Sequence, residues 1–130
     1  MSELNRPEVV AEVAKAFEAY ERALVEDDAE AIIGAFWNAD FVVRYGIADS
    51  QYGWQQIAEW RRSAPPVPPN RKLGPTVIVA FGDDTACVST EFRGGAGMMI
   101  GRQSQTWRRM ESGWRIVAAH VSLIKPPDAS

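Results

Sequence analysis

One cysteine and one histidine are all that the 130 residues offer of the side chains most used for thiol and soft-metal chemistry. Cys87 has no internal partner for a disulfide, and His120 alone cannot build a His-rich metal site. Lysine is scarce too, at three of the fourteen basic residues. No apolar run nears the roughly 20 residues of a membrane span. The opening residues Ser2, Glu3, Asn5 and Arg6 do not place a basic patch before an apolar stretch, so no secretory leader is expected. The absence of a glycine-rich phosphate loop, a Gly-x-Ser-x-Gly elbow and a paired-His zinc motif sets three reaction classes aside. These absences lead to the expectation of a cytoplasmic, reducing setting, with no cofactor, no metal and no membrane.

The formal net charge of −3 and pI near 5.2 argue against a nucleic-acid surface, which needs an excess of cations on one face. The preference for arginine over lysine keeps small acidic ligands open as partners, because a planar guanidinium grips a carboxylate through two parallel hydrogen bonds. With 46% apolar residues and five Trp, the chain can bury a core without crosslinks, so a single globular domain over 1–130 is expected.

Val10, Val13, Phe17, Tyr20 and Leu24 recur at helical spacing after Pro7, with Glu12, Lys15, Glu18 and Arg22 between them. Asp27 and Asp28 interrupt this helix, and Asp28 can cap a second, short one carrying Ile32, Ile33, Phe36 and Trp37. Phe41 to Tyr45 reads as a strand, Gly46 and Gly53 bracket a turn-rich segment, and Trp54 to about Arg62 reads as a third helix. Ala64-Pro65-Pro66-Val67-Pro68-Pro69 can continue neither helix nor central strand and should run extended over the surface. Turn signals then divide the remainder into strands near 72–81, 85–93, 98–110 and 114–124. The pattern predicts an α+β fold with three N-terminal helices on one face of a curved, mainly antiparallel sheet.

Several residues are candidates for chemistry or for the bland alternative. Tyr20 lies on the apolar stripe of the first helix, so its hydroxyl needs either a backbone partner or a cavity. Arg44 is a cation within a strand; it either pairs with Asp40 or Glu91, snorkels, or meets a ligand carboxylate in a bond of about 1.5 to 3 kcal/mol. His120 shares strand parity with Ile116, Ala118 and Ser122, and parity alone leaves its face open. Arg102, Ser104 and Thr106 form one face of their strand and Gln103, Gln105 and Trp107 the other, and one set should face the cavity. Cys87 reads as an inert packed thiol. Arg61-Arg62 and Arg108-Arg109 read as solvated ends of elements.

The run Gly101-Arg102-Gln103-Ser104-Gln105-Thr106-Trp107, followed by Gly113-Trp114-Arg115-Ile116-Val117-Ala118-Ala119-His120-Val121-Ser122, resembles the C-terminal signature of the small SnoaL-like proteins of oxalurate and cyanuric acid catabolism. Within that family the chain looks most like the decarboxylating amidohydrolase of 1,3-dicarboxyurea, and the resemblance runs from the first helix to Ile124. It implies a nuclear transport factor 2-like cone, a homodimer formed through the open sheet, and catalytic roles for Tyr20 and Arg44. Arg102 and His120 are carried as substrate-binding candidates. The activity expected on these grounds is metal-independent hydrolysis of a C–N bond in a small anionic ureido compound, with decarboxylation. A non-catalytic ureido-acid-binding or accessory protein is the alternative; an isomerase or cyclase would need an inward acid, for which only Asp40 and Glu91 are available.

Overall fold

The computed structural model describes residues 3–95, 97 and 99–127. Ala96 in the glycine-rich turn and Met98 at the expected start of the third meander strand lie outside the described residues. Helix α1 spans Pro7–Glu26, with Pro7 in its first turn where a missing N–H costs nothing. It ends at Asp27, whose left-handed backbone (φ 56°) lets its N–H reach carbonyls of the last turn. Asp28 then accepts a hydrogen bond from the Ala31 amide and caps the short helix α2, Ala29–Gly34, as its position suggested.

Strands β1 (Val43–Tyr45) and β2 (Ser50–Tyr52) form a small hairpin, and helix α3 follows at Trp54–Ser63. The turn-rich segment between Gly46 and Gly53 thus contains a strand that the sequence pattern does not announce. Three residues are too few to show alternation. After the proline segment come β3 (Lys72–Phe81), β4 (Thr85–Arg93), β5 (Ile100–Met110) and β6 (Gly113–Ile124). The sheet order is β2-β1-β6-β5-β4-β3, antiparallel throughout except where β1 runs parallel to β6.

The helices cover one face of this sheet. Val9, Val13, Phe17 and Leu24 of α1, Ile32 of α2 and Ile57 of α3 meet Val88, Trp107 and Ile116 of the strands in one core. Tyr20 is part of it, its ring edge-on to Phe36 (centroids 6.0 Å apart) and to Trp107 (6.5 Å).

One irregularity decides which residues of β6 join that core. Trp107 pairs with Ile116 but Thr106 pairs with Ala118, so Val117 is an extra residue. Such a bulge shifts the alternation by one position. Ile116 therefore faces the helices, whereas Ala118, His120 and Ser122 face away and Ala119 and Val121 take their place inside. The shared face expected for Ile116 and His120 does not exist, and the reason is this one inserted residue.

Candidate functional site

At the wide end of the cone the helices and the sheet leave a cavity of about 240 Å³. Tyr20 and Leu24 line it from α1, Arg44 from β1, Asp49 from the β1–β2 turn, and Trp60 and Arg61 from the end of α3. The segment from Ala64 to Pro68 forms one wall, and Arg71, Phe92, Gln103 and Val121 form the sheet side. The proline run is thus a stiff rim of the cavity. This volume falls below the roughly 300–1,000 Å³ typical of drug-sized ligands, which points to a small molecule. A larger depression of about 460 Å³ beside Trp37, Trp54, Glu111 and Arg115 holds none of the candidate residues.

Arg44 occupies an inner row that crosses the whole sheet through Gln51, Arg44, Ala119, Gln105, Val88 and Ile78. Ala119 beside it is small enough to leave room for a guanidinium. The Arg44 Nη1 donates to Asp49 Oδ1 and to Gln51 Oε1, each at 2.8 Å, while its guanidinium carbon lies 4.0 Å from the Trp60 ring centroid. Its acid partner is Asp49, not Asp40 or Glu91: Asp40 is exposed, and Glu91 sits on the other sheet face as the register partner of Arg102. Gly46 makes the pair possible, because a Cβ there would occupy the space of the Asp49 carboxylate.

Arg71 is held differently. Its Nε and Nη2 donate to the two carboxylate oxygens of Glu21 at 3.0 and 3.2 Å, and Gln103 Nε2 donates to Glu21 Oε2 at 3.1 Å. The guanidinium also rests 4.1 Å from the Phe92 ring centroid. Phe92 in turn lies flat over Gly101, where any side chain would strike its ring. The glycine of the Gly-Arg-Gln-Ser-Gln-Thr-Trp string is a seat for an aromatic ring that carries an arginine.

Tyr20 reaches the cavity from the core side, and its hydroxyl has no hydrogen-bond partner among the described residues. Burial raises its pKa above the ordinary phenol value, outweighing the opposing pull of Arg44, Arg61 and Arg71. The phenol is therefore protonated at neutral pH and available as a donor. Two residues along β5 from Gln103, Gln105 accepts from the Trp107 indole at 3.0 Å, and its buried Nε2 has no partner.

The structure brings Tyr20 and Arg44 to one cavity and separates them from the other two candidates. Arg102 and His120 point from the opposite face of the sheet: His120 lies in an outer row with Tyr45 and Ser104, and Arg102 stands between Glu91 and Ser122. Neither reaches this cavity. Gln103, on the face where Trp107 packs, is the β5 residue that does. Cys87 is exposed on the outer face beside Thr106 rather than packed. Among the described residues, no three His, Cys, Asp or Glu side chains converge to hold a metal ion. No helix among them is long and apolar enough to cross a membrane.

Sequence reasoning missed Arg61, Arg71 and Glu21. Arg62 is indeed at the surface, in a two-point pair with Glu30, but Arg61 beside it is buried. The signal was helical spacing: Arg61 is four residues from Ile57 and three from Ala58, both on the buried stripe of α3. Glu21 likewise stands four residues after Phe17.

A family model described as AtzH-like matches residues 2–127, nearly the whole chain. The chain belongs to the AtzH-like family. A solved cystatin-like fold protein from Burkholderia xenovorans LB400 is 54% identical, with a TM-score of 0.94 over 96% of this chain and 98% of that one. A protein of unknown function from the DUF3225 family of Pectobacterium atrosepticum SCRI1043 is 43% identical, with a TM-score of 0.91 over 95% and 97%. An NTF2-like protein of unknown function from Pseudomonas putida KT2440 shares the fold at 17% identity, with a TM-score of 0.75 over 95% and 92%. No curated protein matches. The AtzH-like chain thus has the NTF2-like cone expected from its sequence.

Two measurements test this geometry. Because the folded-state pKa of Tyr20 is raised, its contribution to stability is intact below about pH 10 and is lost as pH climbs toward the folded value. Tyrosinate absorbance should show one of the three phenols missing from the late end of the titration in Tyr20→Phe. An unchanged late phase would contradict the burial. Glu21→Gln leaves Arg71 buried without a counter-charge and should cost about 3 kcal/mol in urea unfolding.

Proposed function

We propose that this AtzH-like chain hydrolyses a C–N bond in a small carboxylated urea of the 1,3-dicarboxyurea kind. The observation that carries the reading is the shared cavity of a protonated, unpartnered phenol and a half-buried guanidinium, Tyr20 and Arg44. Water adds to the carbonyl carbon, and negative charge develops on the carbonyl oxygen, where the free donors of Arg44 stabilise it. As the C–N bond breaks, Tyr20 gives its proton to the departing nitrogen and regains one from the added water. The other fragment leaves as a carbamic acid, which splits into carbon dioxide and an amine. Each step uses groups of this chain and water alone.

A second reading also has an observation in its favour. Asp49, which lines the cavity, and Glu21, which holds the lining Arg71, are both engaged by arginines, so neither is free to take a proton from water. A ureido-acid-binding or accessory protein would need no such base. It would bind saturably and release no product. An isomerase would need a free inward acid, whereas Asp49 and Glu21 are tied to arginines, Glu91 lies on the other sheet face and Asp40 is exposed.

Carbon dioxide release from freshly generated 1,3-dicarboxyurea separates the first two readings. Turnover should fall at least 100-fold in both Tyr20→Phe and Arg44→Ala; full turnover in both variants would end the hydrolytic assignment.

The outer sheet face carries Tyr45, Tyr52 and Val77 exposed around the small residues Ser89, Ser104 and Ala118. Such a face suits the homodimer that the resemblance implies. Sedimentation equilibrium should give twice the 14.4 kDa chain mass, and Ser104→Arg in mid-face should give the monomer. A monomeric wild-type chain removes the dimer.

A further inference from the structure

Three guanidinium groups line the cavity, and two of them already have a carboxylate. Arg44 is paired with Asp49 at 2.8 Å and Arg71 with Glu21 at 3.0 Å. Arg61 is only 8% exposed, yet among the described residues its side chain has neither a salt bridge nor a hydrogen bond. Its guanidinium carbon lies 4.5 Å from the Trp60 ring, which also supports Arg44, and it feels Asp27 and Asp49 through space without forming an ion pair with either. Burial depresses its pKa below the ordinary arginine value. Arginines are rarely left buried and unpaired, because taking the charge from water has no return without a partner. Three cations against two paired anions leave one positive charge at the cavity, and it belongs to Arg61.

We propose that Arg61 is the ligand-binding residue that takes the carboxylate of the small acid entering this cavity. The proposal deepens the carboxylated-urea reading and rests on it for the ureido part of the ligand alone. The guanidinium presents a planar fork of donors that a carboxylate completes with two parallel hydrogen bonds. Arg61 then decides between acids and their neutral amides, and it frees Arg44, already tied to Asp49 and Gln51, to act at the carbonyl. Its position in the last turn of α3 suits a cation that must wait for a ligand, since the helix end itself is partly negative.

A purely structural Arg61 and a ligand-binding one make opposite forecasts for Arg61→Met. Removing a buried charge that has no protein partner should leave the unfolding midpoint of the free chain unchanged or higher. Calorimetric titration of the full chain with oxalurate, its neutral amide and malonate supplies the second readout. The wild-type chain should prefer oxalurate to the amide by about 100-fold, and Arg61→Met should erase that preference. Arg61→Lys should recover part of it as a point charge. Malonate bound through Arg61 while no ureido acid binds would uphold the anchor and sink the ureido reading. The anchor itself is overturned if wild type binds no carboxylate, if Arg61→Met binds oxalurate as wild type does, or if lost binding comes with a lowered unfolding midpoint.

Discussion

The added residue at Val117 determines what the interior of the cone is made of. Up to Ile116, strand β6 sends its bulky side chains, Trp114 and Ile116, toward the helices; beyond the bulge it sends Ala119 and Val121 instead. The change in size is what opens the wide end. A regular β6 would place Ala118 and His120 inside, with the imidazole of His120 opposite Gln103 where Val121 now lines the cavity. The extra residue also falls where the chain after α2 joins β6, with the Trp37 amide donating to the Ile116 carbonyl at 2.9 Å and the Ile116 amide to the Ala35 carbonyl at 2.8 Å. Helix layer and sheet are thus locked together where the sheet changes face.

Behind that bulge the protein buries charge in a way that an apolar core would not require. The Glu21–Arg71–Gln103 cluster joins α1 to the start of β3 and to β5, and the Arg44–Asp49–Gln51 cluster closes the β1–β2 hairpin on itself. Buried ion pairs recover their desolvation only when every donor and acceptor is well placed, so they contribute shape more dependably than stability. Here they hold guanidinium planes against Trp60 and Phe92. The chain as a whole is acidic, but three arginines against Asp49 and Glu21 leave the cavity with an excess of positive charge. Under the proposed reading, that local excess is what would draw a small anion to the cavity of an acidic chain.

Much of the fold was legible because the elements carry strong local signals. The stripe through Val13, Phe17, Tyr20 and Leu24 and the turns around Gly82 and Gly113 set α1 and the meander to within two residues of their observed bounds, and the Asp28 cap sets the start of α2, which ends at Gly34 before reaching Phe36 and Trp37. Tyr20 and Arg44 were legible as inward-facing from stripe and strand context together with the family resemblance. His120 was not, because a bulge leaves no trace in residue parity. Arg61 reads as a solvated helix end because charge signals solvent, yet it and Glu21 both occupy helical spacing that places them with the apolar residues. The β1–β2 hairpin was invisible since Asp49 and Gln51 act through contacts with Arg44 that no local pattern encodes.

The protonation state of Tyr20 limits which chemistry suits this cavity. A phenol kept neutral by burial cannot serve as the base of a reaction at neutral pH, and the two carboxylates that could have done so are tied to arginines. What remains is donation: a proton to a leaving nitrogen, and guanidinium hydrogen bonds to developing negative charge. That inventory is weak for an ordinary amide, whose nitrogen is a poor leaving group and whose carbonyl needs a strong nucleophile. It is better matched to a compound that is already inclined to fragment, such as a carbamate-like acid whose product loses carbon dioxide and so draws the equilibrium forward. Under the proposed reading, the site needs only to hold such a molecule by its carboxylate, exclude most water with the proline rim and Trp60, and supply one proton where the C–N bond gives way.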